Sequence, residues 1–285
     1  VSNMADTIQE VLNWASSFLK KQNREPKIAE ILILHHLHFT KIDLLMALNQ
    51  PIEVHVKDNF IRDIKEHAKT GIPVQHLTGE EFFFDRRFEV NHHVLIPRPE
   101  TEELIVKALE VLIEEDPKRI VDAGTGSGVI AITLKKEAPD HWIEAGDISS
   151  DALQVAKRNA ERLGADVRFF ESDFLQKWID AGEQVDMIVS NPPYIAKSDR
   201  PSLQDTVRDF DPELALFAND DGLACYRQII NQSQKALACG GYLIFEIGAS
   251  QAKAIKQLIQ AIYPGAQIEI IQDLLGRDRI IRAKC

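Results

Sequence analysis

From residue 119 onward the chain repeats one pattern: a short apolar, β-branched run, a turn, then an amphipathic helical stretch. The runs 119–123, 142–147, 167–172, 185–190 and 241–247 read as strands, with helices over 128–137, 150–163, 221–238 and 249–262. Strands joined through helices cannot pair as hairpins. They lie parallel, and the helices cover both faces of the sheet. The pattern therefore predicts an α/β fold with a mostly parallel sheet and a ligand crevice at the carboxyl ends of its strands. The last twenty residues differ, because 267–272 and 279–283 flank Gly276-Arg277-Asp278 with no helix between them. This predicts an antiparallel hairpin at the sheet edge, unlike the all-parallel dinucleotide-binding arrangement.

The beginning of the chain has another character. Ile8, Val11, Leu12, Ala15, Phe18 and Leu19 recur at helical spacing, and Pro26 suits the first turn of a second helix over 28–37. Thr40 can cap a third through Leu48, and Phe60, Ile61 and Ile64 stripe a fourth. Residues 71–73 punctuate this set. Aromatic and β-branched residues over 77–90 surround Asp85-Arg86-Arg87 as a hairpin would, and a capped amphipathic helix is expected from about Thr101 to Glu114. The chain thus divides into a small all-α domain (1–70), a β-hairpin linker (71–93) and the α/β domain (94–285). His35, His36 and His38 sit among Ile, Leu and Phe without a neighbouring carboxylate, so they read as core or surface histidines and no metal site is expected.

Composition narrows the class of function. Lys and Arg balance Asp and Glu over residues 1–70, so the formal net charge of −11 resides in 71–285. Repulsion from an acidic domain opposes a phosphate backbone, which disfavours a direct nucleic-acid partner. Cys225, Cys239 and Cys285 form no Cys-x-x-Cys pair, which argues against a disulfide framework or structural zinc and suits a reducing cytoplasm. No apolar run approaches the roughly 18–20 residues of a membrane span, nor is there a secretory leader pattern. A soluble cytoplasmic protein with no membrane association is expected. Val1-Ser2-Asn3 ahead of Met4 reads as an expression remnant.

The chemistry collects at strand ends. The first strand runs into Asp122-Ala123-Gly124-Thr125-Gly126-Ser127-Gly128, where glycines permit a sharp turn and close approach of backbone N–H groups to a ligand. The Gly-x-Gly-x-Gly spacing is not Gly-x-Gly-x-x-Gly, and no Gly-Lys-Ser/Thr follows, so a P-loop is excluded. Asp147 closes the second strand, where a carboxylate can accept from both ribose hydroxyls in NAD and S-adenosylmethionine enzymes alike. Asp173 and Phe174 end the third, placed to meet an adenine by hydrogen bond and ring packing. After the fourth come Ser190-Asn191-Pro192-Pro193-Tyr194. The two prolines stiffen the backbone and remove two donors, so that the Asn191 side-chain oxygen and the Pro192 carbonyl can accept both hydrogens of a planar NH2 group. Tyr194 offers an aromatic face to a positively charged methyl donor.

Asn-Pro-Pro-Tyr with Asp-Ala-Gly-Thr-Gly-Ser-Gly resembles the class I S-adenosylmethionine-dependent amino-methyltransferases. Within that group, four segments resemble the HemK/PrmC family: Pro73-Val74-Gln75-His76-Leu77-Thr78-Gly79, Val94 to Glu102 (VLIPRPETE), Asp211-Pro212-Glu213-Leu214-Ala215-Leu216 and Asp273 to Arg279 (DLLGRDR). His76 stands where that family often has Tyr, and Asp-Pro-Glu where Glu-Pro is common. The resemblance covers nearly the whole chain and implies a Rossmann-like, seven-stranded, mostly parallel sheet with a C-terminal antiparallel hairpin. It also implies methylation of the side-chain amide (N5) of the glutamine in the Gly-Gly-Gln motif of peptide chain release factors, with S-adenosylmethionine leaving as S-adenosylhomocysteine. Carried over residue by residue, Gly124, Thr125, Gly126, Ser127 and Gly128 surround the methionine end of the cofactor, and Asp147, Asp173 and Phe174 hold its adenosine. Asn191, Pro192, Pro193 and Tyr194 hold the substrate amide, with Asn191, Pro192 and Tyr194 at the methyl-transfer centre and Asn191 also beside the cofactor. The helical domain docks the substrate.

Adenine N6 methylation of DNA uses the same Asn-Pro-Pro-Tyr logic, but requires base extrusion and a target-reading region. No basic, aromatic-interleaved insert of that kind is present in the sequence. A binding module that had lost the reaction would bind cofactor without turnover. A nicotinamide dehydrogenase would bind NAD, and the sequence offers no acid/base histidine beside a hydride path.

Overall fold

The computed structural model describes residues 6–113, 116, 118–219 and 221–285. The Val1-Ser2-Asn3 segment and the expected helix end at Glu114 lie outside them. In chain order come helices α1 (Ile8–Lys21), α2 (Ile28–Leu37), α3 (Lys41–Ala47), α4 (Val54–Thr70) and α5 (Val74–Thr78), then strands β1 (Glu80–Phe83) and β2 (Arg86–Glu89). Next are α6 (Pro99–Leu112), β3 (Arg119–Ala123), α7 (Val129–Glu137), β4 (Trp142–Asp147), α8 (Ser150–Leu163), β5 (Arg168–Glu171), α9 (Gln176–Asp180) and β6 (Val185–Ser190). Short β7 (Ile195–Ala196), α10 (Asp205–Arg208), α11 (Glu213–Leu216) and β8 (Phe217–Ala218) lead to α12 (Ala224–Ala236), β9 (Leu237–Glu246), α13 (Ala252–Ile262), β10 (Gln267–Gln272) and β11 (Asp278–Lys284). Contacts divide the chain into two units. One runs up to Gly79 and includes Gln204–Phe210, and the other comprises Glu80–Leu203 and Asp211–Cys285.

The first unit is helical. Thr7 with Glu10 and Thr40 with Asp43 form capping boxes that start α1 and α3, and Gly71, at φ +77°, ends α4 in the left-handed conformation that glycine adopts without strain. Leu19, Leu32, Ile33, Phe60 and Ile64 are fully buried in its core. Helix α5 extends this unit beyond the four helices expected. His36 meets Asp63 of α4 at 2.8 Å, a carboxylate supplied from 27 positions away and therefore invisible in the local sequence. Arg24 donates to both carboxylate oxygens of Asp205, at 3.0 and 2.9 Å, which fastens the segment Gln204–Phe210 into the unit and holds the Asp205 carboxyl below its ordinary range. Among the described residues, no group of three or more His, Cys, Asp or Glu could hold a metal ion, and no helix is long and apolar enough to cross a membrane.

The second unit holds a seven-stranded sheet of order β10-β11-β9-β6-β3-β4-β5. Strands β9, β6, β3, β4 and β5 are parallel, while β11 pairs antiparallel with both β9 and β10. Alternation along each strand sends neighbours to opposite faces. Val121, Ile188, Leu243 and Phe245 join α9, α12 and α13 on one side, and Ile120, Met187, Val189 and Ile244 join α6 and α7 on the other. The β1–β2 hairpin packs within this unit, with Phe83 and Phe88 buried against α6 residues Leu104, Ile105 and Ala108. Helix α6 starts at Pro99, whose fixed φ suits a first helical position, two positions before the start expected at about Thr101, so Thr101 lies inside the first turn, and the residue ahead of the helix, Arg98, makes no side-chain capping bond. The mutual burial of the α1, α2 and α4 stripes holds the helical unit together. Phe60→Ala is expected to lower its stability by about 3–5 kcal/mol, read as an earlier urea transition in far-UV circular dichroism.

Candidate functional site

Chain order along the sheet runs one way from β3 to β4 to β5 and the other way from β6 to β9. The direction reverses between β3 and β6, which opens a crevice at their carboxyl ends. The Ser190 hydroxyl donates to the Ala123 carbonyl and ties the two strand ends together.

The glycine loop crosses this crevice. The N–H groups of Gly124 and Thr125 donate to the Gly146 carbonyl at 2.8 and 3.0 Å, and that of Gly126 donates to Asp147 Oδ2 at 2.9 Å. Gly128, at φ +85°, starts α7, and a Cβ there would lie 2.8 Å from Ile132 Cδ1 and 3.1 Å from Ala156 Cβ, so only glycine lets α7 pack so closely on α8. At Gly126 a Cβ would meet nothing within 4 Å, so this part of the loop faces open space. Beneath the loop, fully buried Asp122 accepts from Thr125 Oγ1 at 2.6 Å and from the Ala131 N–H at 3.2 Å. Burial pushes its carboxyl up to about 7 in spite of these bonds.

A cavity of about 530 Å³ lies in front of the loop, and its wall includes Gly124, Thr125, Gly126, Ser127, Asp147, Asp173, Phe174, Asn191 and Pro193. Nine residues named from separate strand ends thus share one cleft. Gly128 stands behind it as the α7 cap. Pro192 is buried, and the Tyr194 side chain packs against the apolar layer containing Tyr226 and Phe245, where burial pushes its phenol up to about 12. Neither Pro192 nor Tyr194 belongs to the cavity wall. The Tyr194 carbonyl accepts from Gln251 Nε2 at 3.0 Å, which fixes the backbone after the two prolines.

Asp147 accepts from Gly126 N–H through one oxygen and from Ser149 N–H through the other, both at 2.9 Å. Each oxygen keeps a further lone pair for a ligand hydroxyl. Burial raises its pKa, with these N–H bonds opposing. Phe174 is held at φ +50°, where its carbonyl accepts from Ser172 Oγ at 2.8 Å. Gln232 clamps the same turn by donating to the Asp173 carbonyl at 3.1 Å and accepting from Leu175 N–H at 2.8 Å.

Several participants escape the sequence reading. Asn191 Nδ2 donates to Thr101 Oγ1 at 3.1 Å, and Thr101 in turn donates to Glu246 Oε2 at 2.7 Å. Glu246 closes β9 as Asp147 closes β4, so the same strand-end signal identifies it. Arg98 pairs with Asp211 at 2.7 Å, which anchors the loop whose Pro212, Leu214 and Phe217 line the cleft. Burial outweighs that pairing and leaves the Asp211 pKa raised.

Comparison with known proteins agrees with this architecture. A family model described as the methyltransferase small domain matches residues 101–208, and one described as the PrmC N-terminal domain matches residues 10–79. The chain is 43% identical to a release factor glutamine methyltransferase of Bacillus subtilis over 97% of both chains. It is 40% identical to one of Enterococcus faecalis, covering 99% of this chain and all of that one. Among solved structures, the hMettl16 catalytic domain in complex with MAT2A 3′UTR hairpin 1 superposes with a TM-score of 0.55 at 15% identity, covering 96% of this chain and 90% of that one, and shares the fold.

Because Asp122 has its pKa raised in the folded protein, it binds its proton more tightly folded than unfolded, and its contribution to stability is lost as pH rises from about 4 through about 7. Asp122→Asn keeps an acceptor for Thr125 and Ala131 without the buried charge. The melting temperature of the variant relative to wild type is expected to rise from pH 4 to about pH 7 and then level off in thermal scans. A constant or shrinking difference would contradict a buried Asp122 of raised pKa.

Proposed function

The chain belongs to the release factor glutamine methyltransferase family, and from that premise we propose that its switch-point cleft holds the side-chain amide of a release-factor glutamine, in the Gly-Gly-Gln motif, for methylation at N5. S-adenosylmethionine supplies, when bound, a methyl group on a positively charged sulfur and leaves as S-adenosylhomocysteine. The residues present suit it. The open backbone of Gly124 to Ser127 would face its methionine end, the spare lone pairs of Asp147 would accept from its ribose hydroxyls, and Asp173 and Phe174 would border its adenine.

An amide nitrogen is a poor nucleophile because its lone pair is delocalised, so the protein's task is placement and polarisation. Asn191 Oδ1, on the cleft wall, accepts one N–H hydrogen, and the substrate amide must draw up to the Pro192 carbonyl, which lies outside that wall, for the second bond that turns the nitrogen toward the methyl group. A neutral carboxamide accomplishes this without adding a charge that would hold the ground state. The proton passes to water after transfer, when the nitrogen has become more acidic, so no strong base acts beforehand. The observation that carries this reading is the position of Asn191: it stands across the switch point from the glycine loop, with its amino end engaged by Thr101 and its oxygen left to accept.

Docking of the release factor is assigned to the helical unit. Helix α3 exposes Ile42, Leu45 and Met46 at 70%, 70% and 80%, an apolar face at helical spacing outside the unit's own core. A cytoplasmic setting suits such a partner, and nucleic acid is not part of this reading.

Reaction with labelled cofactor should place the methyl group on the glutamine of a release factor, located by mass spectrometry. Labelling of duplex DNA with none on protein would instead establish adenine methylation. Asn191→Ala should lower turnover by about a hundredfold or more with cofactor affinity within a few-fold, and Asp147→Ala should chiefly weaken cofactor binding in calorimetry. If the two outcomes were exchanged, the roles assigned to the two residues would be wrong. Leu45→Glu should raise KM for the folded release factor about tenfold or more while leaving KM for a short Gly-Gly-Gln peptide unchanged.

A further inference from the structure

We infer that Thr101 and Glu246 are positioning residues that determine which end of the Asn191 carboxamide faces the cleft. The inference rests on the reading of Asn191 as the acceptor of the substrate amide and deepens it.

Glu246, 2% exposed, lies at the carboxyl end of β9, and Thr101, 3% exposed, in the first turn of α6. Thr101 Oγ1 is 2.7 Å from Glu246 Oε2 and 3.1 Å from Asn191 Nδ2. A hydroxyl has a single proton, and an ionised carboxylate has none to give. The Thr101 proton therefore goes to Glu246, and Thr101 can present only lone pairs to Asn191. Only the NH2 end of the Asn191 amide matches them, so Oδ1 must lie at the other end. Asparagine is free to rotate its amide by half a turn, and in that orientation it would aim two donors at a substrate NH2 that itself has only donors to offer in the plane. Asn191 thus requires an external polarity, which a neutral threonine alone cannot impose because its hydroxyl turns either way.

Protonation of Glu246 would release this constraint. As a carboxylic acid it can donate to Thr101, and the Thr101 hydroxyl can then donate to Oδ1 of the reversed Asn191 amide. Arg279 on β11 and Arg98 ahead of α6 favour the charged form of Glu246, and Glu100 on α6 opposes it. Tyr194 after β6 and Tyr226 on α12, which donates to the Glu246 backbone carbonyl at 2.7 Å, complete its surroundings. Burial is the dominant influence and pushes the Glu246 carboxyl up to about 7. Its charged form is therefore lost as pH falls through neutrality.

The test compares kcat, KM and cofactor affinity for Thr101→Val, Thr101→Ser, Glu246→Gln and Asn191→Ala, using a Gly-Gly-Gln peptide between pH 6 and pH 8.5. Thr101→Val preserves shape but cannot bond, and is expected to lower kcat about tenfold or more with cofactor affinity within a few-fold, while Thr101→Ser recovers most of that loss. Wild-type kcat should fall as pH drops through about 7. Glu246→Gln, which can accept from or donate to Thr101, should have a lowered kcat and lack that acid limb. If Asn191→Ala is crippled but Thr101→Val turns over within twofold of wild type, the positioning role is wrong and the acceptor role of Asn191 stands. If Asn191→Ala is itself active, the acceptor role fails and the positioning role with it. Should Thr101→Val fail to fold, an acid limb in Glu246→Gln matching that of wild type would overturn the inference, and its disappearance would support it.

Discussion

The parallel pairing of β3 with β4 on one side and β6 on the other is the constraint on which the site depends. Parallel strands point their carboxyl ends to one edge, so Gly124 after β3, Asp147 at the end of β4 and Asn191 after β6 emerge together although up to 67 positions separate them. The reversal between β3 and β6 keeps the connecting helices on opposite faces and leaves the space between them open. The glycine loop and the Asn-Pro-Pro-Tyr segment each use the rigidity of the strand that precedes them. Hydrogen bonds from Gly126 to Asp147 and from Ser190 to Ala123 convert three strand ends into one wall.

Around that wall the buried carboxylates share one physical character. Asp122, Asp211 and Glu246 all lie where desolvation raises their pKa, and each touches a segment that lines or supports the cleft. Asp122 holds the glycine loop through Thr125, Asp211 holds the loop of Pro212 to Phe217 through Arg98, and Glu246 holds Asn191 through Thr101. A buried acid costs stability unless it is bonded, so such groups mark where geometry is maintained at the expense of stability. The reacting centre itself contains none of them. The acceptors proposed for the substrate are a side-chain amide and a proline-stiffened backbone, neutral groups that suit a neutral amide.

Much of this was legible before the structure. Helices α2 and α8 and strands β3, β4, β6 and β10 fall where hydrophobic periodicity places them, because each is an uninterrupted apolar pattern bounded by turn residues. The strand-end residues Gly124, Asp147, Phe174 and Asn191 could be named because α/β topology makes the end of a strand a functional address. What escaped was tertiary. The helix expected from about Thr101 starts at Pro99, and nothing local shows that the Thr101 hydroxyl in its first turn bonds Glu246, 145 positions away. The partnership of His36 with Asp63 and the capture of Asp205 by Arg24 likewise join residues with no sequence signal between them. Tyr194, expected to present its ring to the methyl donor, packs instead with the apolar layer and contributes its backbone to the turn.

The most direct test of the account is a crystal structure of the protein with S-adenosylhomocysteine and a Gly-Gly-Gln peptide. The account predicts the glutamine amide nitrogen within about 3 Å of both Asn191 Oδ1 and the Pro192 carbonyl, facing the sulfur beside the Gly124 loop. A glutamine bound elsewhere, or an Asn191 whose oxygen is turned to Thr101 while its amino group faces the cleft, would contradict it.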